Sequence, residues 1–241
     1  MRLNNNELSG NIGVIKNNSV FDYCMQKFIY NPPQDALEII FEDDSIIVIN
    51  KPSGLLSNPG RDPKTHDCAL TRLQQQYEQV FLVHRLDCET SGILIFAKTK
   101  AAEIHLKKQF EARQTEKTYL AEVNGIPKQL TGVMDWPLIA DKERIPLQKV
   151  CVETGKNAET YYKVLHKKAA SCLIELKPVT GRTHQLRVHL LTLGHVILGD
   201  NFYAPKKIKQ ASDRLCLHAM CLKLTHPTTE KMIEFHCPAD F

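Results

Sequence analysis

Residues 84–97 read His84-Arg85-Leu86-Asp87-Cys88-Glu89-Thr90-Ser91-Gly92-Ile93-Leu94-Ile95-Phe96-Ala97, a polar segment that gives way after Gly92 to an unbroken apolar run. A short continuous run of this kind predicts a buried strand, and the polar residues before it then form a loop held by a rigid flank. On the other side the segment is bounded by a second apolar stretch, Phe81-Leu82-Val83. These residues alone leave two readings open. In one the segment is a structural cap, with Asp87 and Ser91 bonding nearby backbone amides and Arg85 solvated; in the other it is a reactive loop.

Toward the N-terminus, residues 37–51 carry two apolar clusters around the turn-forming Glu42-Asp43-Asp44, and KPSGLLSNPG (residues 51–60) follows as a loop whose Gly and Pro residues forbid regular structure. That loop is a candidate wall of a site. Leu70, Leu73, Tyr77 and Val80 recur at helical spacing with Asp67 as the expected cap, so a helix is expected to lead into the 84–92 segment. Toward the C-terminus, Thr99 caps an expected helix with Ala102, Leu106 and Phe110 on one line. Residues 119–123, 160–165 and 173–179 read as strands, with a long Pro- and Gly-containing connection over 125–155. Residues 182–193 form an expected helix with Leu186, Leu190 and Leu193 on one face and Gly194 ending it; 215–224 and 232–235 are the last strands. Strands that follow one another directly with few helices between them indicate an α+β fold with a mixed, largely antiparallel central sheet and flanking helices and loops. Residues 1–30, rich in Asn and set off by Pro32-Pro33, are expected to be a poorly ordered N-terminal extension.

The 241 residues are 43% hydrophobic and 24% charged, ordinary values for a folded soluble chain. No apolar run approaches the roughly 20 residues of a membrane-spanning helix, and MRLNNNELSG lacks the apolar core of a signal peptide, so a cytoplasmic protein with no membrane partner is expected. The eight cysteines form no Cys-x-x-Cys pair and read as small buried hydrophobes. A zinc site from Cys216, His218, Cys221 and His226 has no usual spacing, and no metal is expected. The net charge of +4 is modest, but Lys98, Lys100, Lys107, Lys108, Arg113 and Lys117 cluster, as do Lys206, Lys207, Lys209 and Arg214. Solvated helix faces and polyanion binding are both compatible with such patches.

A second polar constellation, Gly181-Arg182-Thr183-His184-Gln185-Leu186-Arg187-Val188-His189, lies at the junction of a strand and a helix. Two Arg, two His and a Gln there suit an anion or a carboxylate, and an Arg set against Asp87 is expected. His184 and His189 do not share a helix face, which disfavours a metal site. The chain has no phosphate-binding Gly-x-x-x-x-Gly-Lys-Ser/Thr, no Gly-x-Gly-x-x-Gly and no Gly-x-Ser-x-Gly, so nucleotide hydrolysis, nicotinamide chemistry and serine hydrolysis lack support.

The segment HRLDCETSG resembles the catalytic motif HRLDxxTSG of the RluA-type family of pseudouridine synthases. Other blocks of that family follow at compatible spacing: Lys51-Pro52-Ser53-Gly54-Leu55, Lys117-Thr118-Tyr119, the run KPVTGRTHQLR at 177–187, and Leu198-Gly199-Asp200. The match spans residues 31–241, which the resemblance makes the catalytic domain. It implies an isomerase that converts uridine to pseudouridine in RNA without cofactor or metal, acting on a tRNA anticodon stem-loop and a 23S rRNA hairpin; apart from the resemblance, a monomer is expected. By the same resemblance Asp87 is the essential carboxylate, Arg182 its ionic partner, and Tyr119 the aromatic residue that stacks on the uracil. Arg85, with His84 beside it, is implied to hold the RNA open once the base is flipped, Leu186 to pack on that base, and the basic cluster with Lys107 and Lys108 to bind phosphates. Two rival readings remain: an inactive RNA-binding module, which need not keep Asp87, Tyr119 and Arg182 together, and a glycoside or nucleoside hydrolase, which would use Glu89 as a second acid.

Overall fold

In the computed structural model, which describes residues 29–241, Asp43 closes the first hairpin. Its Oδ1 accepts from the Ser45 and Ile46 amides, turning β1 (Glu38–Glu42) back onto β2 (Ile46–Lys51). The extension expected over residues 1–30 lies, but for its last two residues, outside the described residues.

After the 51–60 loop comes α1 (Ala69–Gln74), capped by Cys68 and not by Asp67. The Asp67 carboxylate is held by Arg72, Nε to Oδ1 at 2.6 Å, and so is turned away from the helix amides. The helix also stops earlier than its apolar spacing suggested. Tyr77 leaves the helical path with its hydroxyl donating to Glu42, and the 84–92 segment is entered through a two-residue strand, β3 (Phe81–Leu82).

The apolar run becomes β4 (Ser91–Ala97), buried at every position. It pairs antiparallel with β2 and β3 and parallel with the last long strand, so it lies inside the sheet with both faces covered. Ile93 and Ile95 face one apolar cluster and Leu94 and Phe96 another, the strand's twofold alternation serving two cores. Thr99 caps α2 (Lys100–Glu111) by accepting from the Ala102 amide, and Ala102 and Leu106 bury against the first of those clusters.

From there the chain builds β5 (Glu116–Asn124), β6 (Thr131–Met134), β7 (Leu138–Ala140), β8 (Gln148–Val150), β9 (Thr160–Lys167), β10 (Ser171–Pro178), α3 (Gln185–Leu193), α4 (Lys206–Lys209), β11 (Leu217–Thr225) and β12 (Met232–His236). The main sheet runs β1-β2-β4-β11-β5-β10-β9-β6, with β12 on β11 and β3 on β4, and β4–β11 is its parallel pairing. The expected α+β fold with a mixed, largely antiparallel sheet is the fold observed. The 125–155 connection carries β6 and the β7–β8 hairpin. These strands of three or four residues are too short and too exposed to show alternation in sequence.

Gly92 is where β4 meets β11. Its φ is +104°, and a Cβ there would lie 2.4 Å from the Ala219 carbonyl oxygen, so no larger residue fits. Among the described residues no helix is long and apolar enough to cross a membrane.

Candidate active site

The loop between β3 and β4 is fastened from beneath by the 51–57 segment. Lys51, fully buried, donates through Nζ to the carbonyls of Pro52, Leu55 and Cys88 at 2.9, 2.7 and 3.0 Å. Ser57 Oγ donates to the Leu86 carbonyl and accepts from the Leu86 amide, and Ser53 Oγ donates to the Glu89 carbonyl. Backbone groups that have no sheet partner are thus satisfied by one loop reaching into another, which sets Asp87 in a defined place. Burial pushes Lys51 down to about 7, opposed by the charges of Cys88 and Asp87.

Asp87 keeps 26% of its side chain exposed. Among the described residues its carboxylate accepts no backbone amide, which removes the capping reading of the segment. Its neighbours are contributed by α3: His184 Nε2 lies 4.0 Å and Arg187 Nη1 3.8 Å from Oδ2. Arg187 is 1% exposed and bonds Asp200 twice, Nε to Oδ2 at 2.8 Å and Nη2 to Oδ1 at 2.6 Å, and Glu89 once at 3.0 Å. Its guanidinium also lies over Phe202 and Tyr203, 4.8 and 5.3 Å from the ring centres. Burial works against the cation, but the Asp200 hydrogen bonds and the charges of Asp200, Asp87 and Glu89 outweigh it, so Arg187 stays charged. Asp200 is itself fixed by the Phe202 and Tyr203 amides.

The entry to α3 explains how these groups converge. His184 is the helix N-cap residue in the left-handed region, φ 52°, a conformation that costs on the order of 1 kcal/mol or more for a residue with a Cβ. Gln185 holds that turn with all its polar atoms used: Oε1 accepts from Thr180 Oγ1 and the Arg182 amide, and Nε2 donates to Glu159 O and Thr160 Oγ1. His184 Nδ1 meets the Tyr203 hydroxyl at 2.7 Å; burial keeps the ring neutral, with Asp87 opposing. In the tautomer that accepts from Tyr203, the Nε2 proton faces Asp87.

Arg182, implied as the ionic partner of Asp87, is not brought there: its Nε donates to the Asn157 carbonyl at 3.1 Å. The cation facing Asp87 is Arg187, in the first turn of α3, whereas Arg182 precedes the helix and points along the β9 approach. Tyr119, on β5, is partly buried, and its phenol is held neutral, first by burial and then by the charge of Asp87. Leu186 is buried in the cluster of β5, β10 and α3. Arg85 is exposed and, among the described residues, has no ion pair or hydrogen bond. His84, set beside Arg85 by the resemblance, is partly buried and packs against the sheet and α2. Its Nε2 accepts from the Ile95 amide at 3.2 Å and its ring stacks on Phe110 at 4.5 Å, so burial, with Lys117 nearby, pushes it down to about 3. Lys107 and Lys108 are exposed on α2, Lys107 paired with Glu103.

The cysteine and histidine sets weighed for metals are dispersed. His218 bonds Ser91 and the Cys237 carbonyl, His226 bonds Asp43, and His189 bonds Thr160 and the Trp136 carbonyl. The contacts that Lys51, Glu89 and Asp200 make here went unassigned in sequence, although all three sit inside quoted blocks.

The profile of the family described as RNA pseudouridylate synthase matches residues 45–192, which includes Asp87 and its α3 neighbours. The chain belongs to that family. It is an isomerase that converts uridine to pseudouridine in RNA. The dual-specificity RNA pseudouridine synthase RluA of Escherichia coli (strain K12) is 51% identical over 214 residues, covering 88% of this chain and 98% of that one. The enzyme of the same name from Vibrio parahaemolyticus is 48% identical over 218 residues, covering 88% of this chain and 87% of that one. Among solved structures, human RNA pseudouridylate synthase domain containing 1 is 28% identical with a TM-score of 0.72, covering 86% of this chain and 84% of that one. The resemblance drawn from HRLDCETSG and its companion blocks is therefore a family relationship along most of the chain.

Proposed function

We propose that this synthase acts on uridines in structured stem-loops, an anticodon stem-loop of certain tRNAs and a 23S rRNA hairpin, flipping the nucleotide out and using Asp87 to break and remake its glycosidic bond. The dual specificity named for the RluA relatives supports two RNA classes, read by shape before sequence. The N1–C1′ bond breaks, the uracil turns, C5 bonds to C1′, and the C5 proton is lost while N1 gains one.

One observation carries the reading: Asp87 is a partly exposed carboxylate with no amide partner among the described residues, facing a permanently charged guanidinium and electrostatically coupled to the neutral, partly buried phenol of Tyr119. It acts by attacking the sugar carbon or by removing a sugar proton; both need the ionised form. Arg187 takes the ionic role the resemblance gave to Arg182, and Tyr119 stacks on the uracil. Extruding a stacked uridine costs a few kcal/mol. Arg85, exposed and unpartnered among the described residues, fills the vacated space with its planar group, Leu186 lines the base pocket, and Lys107 and Lys108 hold phosphates. The hydrolase reading loses its second acid, because Glu89 is committed to Arg187 and Asn201. The protein is further taken to work as a monomer in the cytoplasm without cofactor.

The test is incubation with tRNA and 23S rRNA transcripts, mapping pseudouridines by carbodiimide-dependent primer-extension stops, with Asp87→Asn in parallel. New stops with the wild-type protein that vanish with Asp87→Asn are expected. Absence of stops, or stops that survive the substitution, would overturn the assignment.

A further inference from the structure

Three carboxylates surround one buried cation. The N–H groups of Arg187 are apportioned: Nε and one Nη2 proton go to Asp200, the other Nη2 proton goes to Glu89 Oε2, and Nη1 is left toward Asp87 at 3.8 Å, beyond hydrogen-bond reach. Glu89 is pinned as well, since Asn201 Nδ2 donates to its other oxygen and Ser53 Oγ to its backbone carbonyl. In the motif HRLDxxTSG its position is a free one, so nothing in the shared chemistry requires an acid there.

We infer that Glu89 is a positioning residue for the isomerisation, holding the Arg187 fork so that Asp87 is faced by the cation without being closed into a hydrogen-bonded pair. The inference rests on Asp87 being the essential carboxylate. An Arg with all its donors on Asp200 and Asp87 would form the tight bidentate pairs that guanidinium favours, and a carboxylate so engaged is a weaker base and nucleophile. Glu89 prevents this by taking one donor and by adding a like charge. The other charged or titratable groups around Asp87 are Lys51 from β2, Tyr119 from β5, His184 from α3, Asp200 and Tyr203 from the segment after α3, and Cys88 in its own loop. Of these, Cys88 also feels the charge of Glu89, which pushes its thiol up, so neutralising Glu89 acts on Cys88 as well as on Arg187.

The experiment is single-turnover kinetics on a tRNA transcript over a pH series, with Glu89→Gln, Glu89→Asp, Asn201→Ala and Asp87→Asn, each checked for folding by its thermal melt. With Glu89→Gln the rate plateau is expected to fall about three- to tenfold, the RNA concentration at half-saturation to stay unchanged, and the acid limb to move to lower pH. Glu89→Asp is expected to return the acid limb toward the wild type. Asn201→Ala, which removes only the tether, is expected to move it the same way as Glu89→Gln by a smaller amount. An acid limb unmoved in both Glu89→Gln and Asn201→Ala, or an effect confined to half-saturation, would overturn the inference while leaving Asp87 in place. Activity surviving in Asp87→Asn would instead overturn the reading beneath it.

Discussion

Arg187 stands 3.8 Å from Asp87 with its charge spread over two further carboxylates, while Arg182, five residues earlier in the same block, donates to a backbone carbonyl of Asn157. The two arginines therefore respond differently to substitution. Arg187→Lys keeps the charge and loses the fork that grips Asp200. It is expected to destabilise the fold by about 2–4 kcal/mol and to lower turnover at least about tenfold. Arg182→Ala should leave turnover within about threefold of the wild type. Urea titration and single-turnover rates measure both.

Arg85 is exposed and makes no ion pair among the described residues, so its loss costs the fold little. Arg85→Ala is expected to keep stability within about 0.5 kcal/mol and to reduce activity on a stem-loop by about a hundredfold, but far less on a single-stranded uridine oligomer, where no stacking must be broken. Equal losses on the two substrates would exclude a role in base flipping.

His84 is neutral inside the fold, pushed down to about 3 from an ordinary value of 6.5, so the unfolded chain binds the extra proton between those values. Its contribution to stability is complete above about pH 6.5 and is lost as pH falls toward 3, at up to about 1.4 kcal/mol per pH unit. Other buried histidines act in the same direction, so the check is a difference. His84→Phe keeps a ring against Phe110 but leaves the Ile95 amide unpaired. It should be about 1–3 kcal/mol less stable at pH 7.5 and show a flatter acid dependence by chemical denaturation across pH 4–7.5.

Gly92→Ala places a Cβ against the Ala219 carbonyl at a φ that side chains avoid, at the junction of the Asp87 loop and β4. A loss of about 3 kcal/mol or more is expected, with activity falling alongside. Guanidinium denaturation with near-ultraviolet dichroism would detect it; unchanged stability would mean β4 and β11 separate more readily than their packing indicates.

What was legible in the sequence followed from local periodicity and chemistry. The apolar run of β4, the Asp43 turn, the Thr99 cap and the Gly194 stop are set by neighbours a few residues away, and all four are in the structure. So was the membership of Asp87 in a family block, through the company of the other blocks. The tertiary structure decided which side chains meet. Arg187 and not Arg182 faces Asp87 because α3 begins at Gln185, after a left-handed turn at His184 that no spacing rule announces. His84 turned inward because the Ile95 amide on β4 needed an acceptor, a demand made by a strand eleven residues away. Lys51 and Glu89 acquired their roles in the same way. Local sequence sets where a chain turns and which face is apolar, whereas the partner of a buried charge is chosen by the segments that close around it.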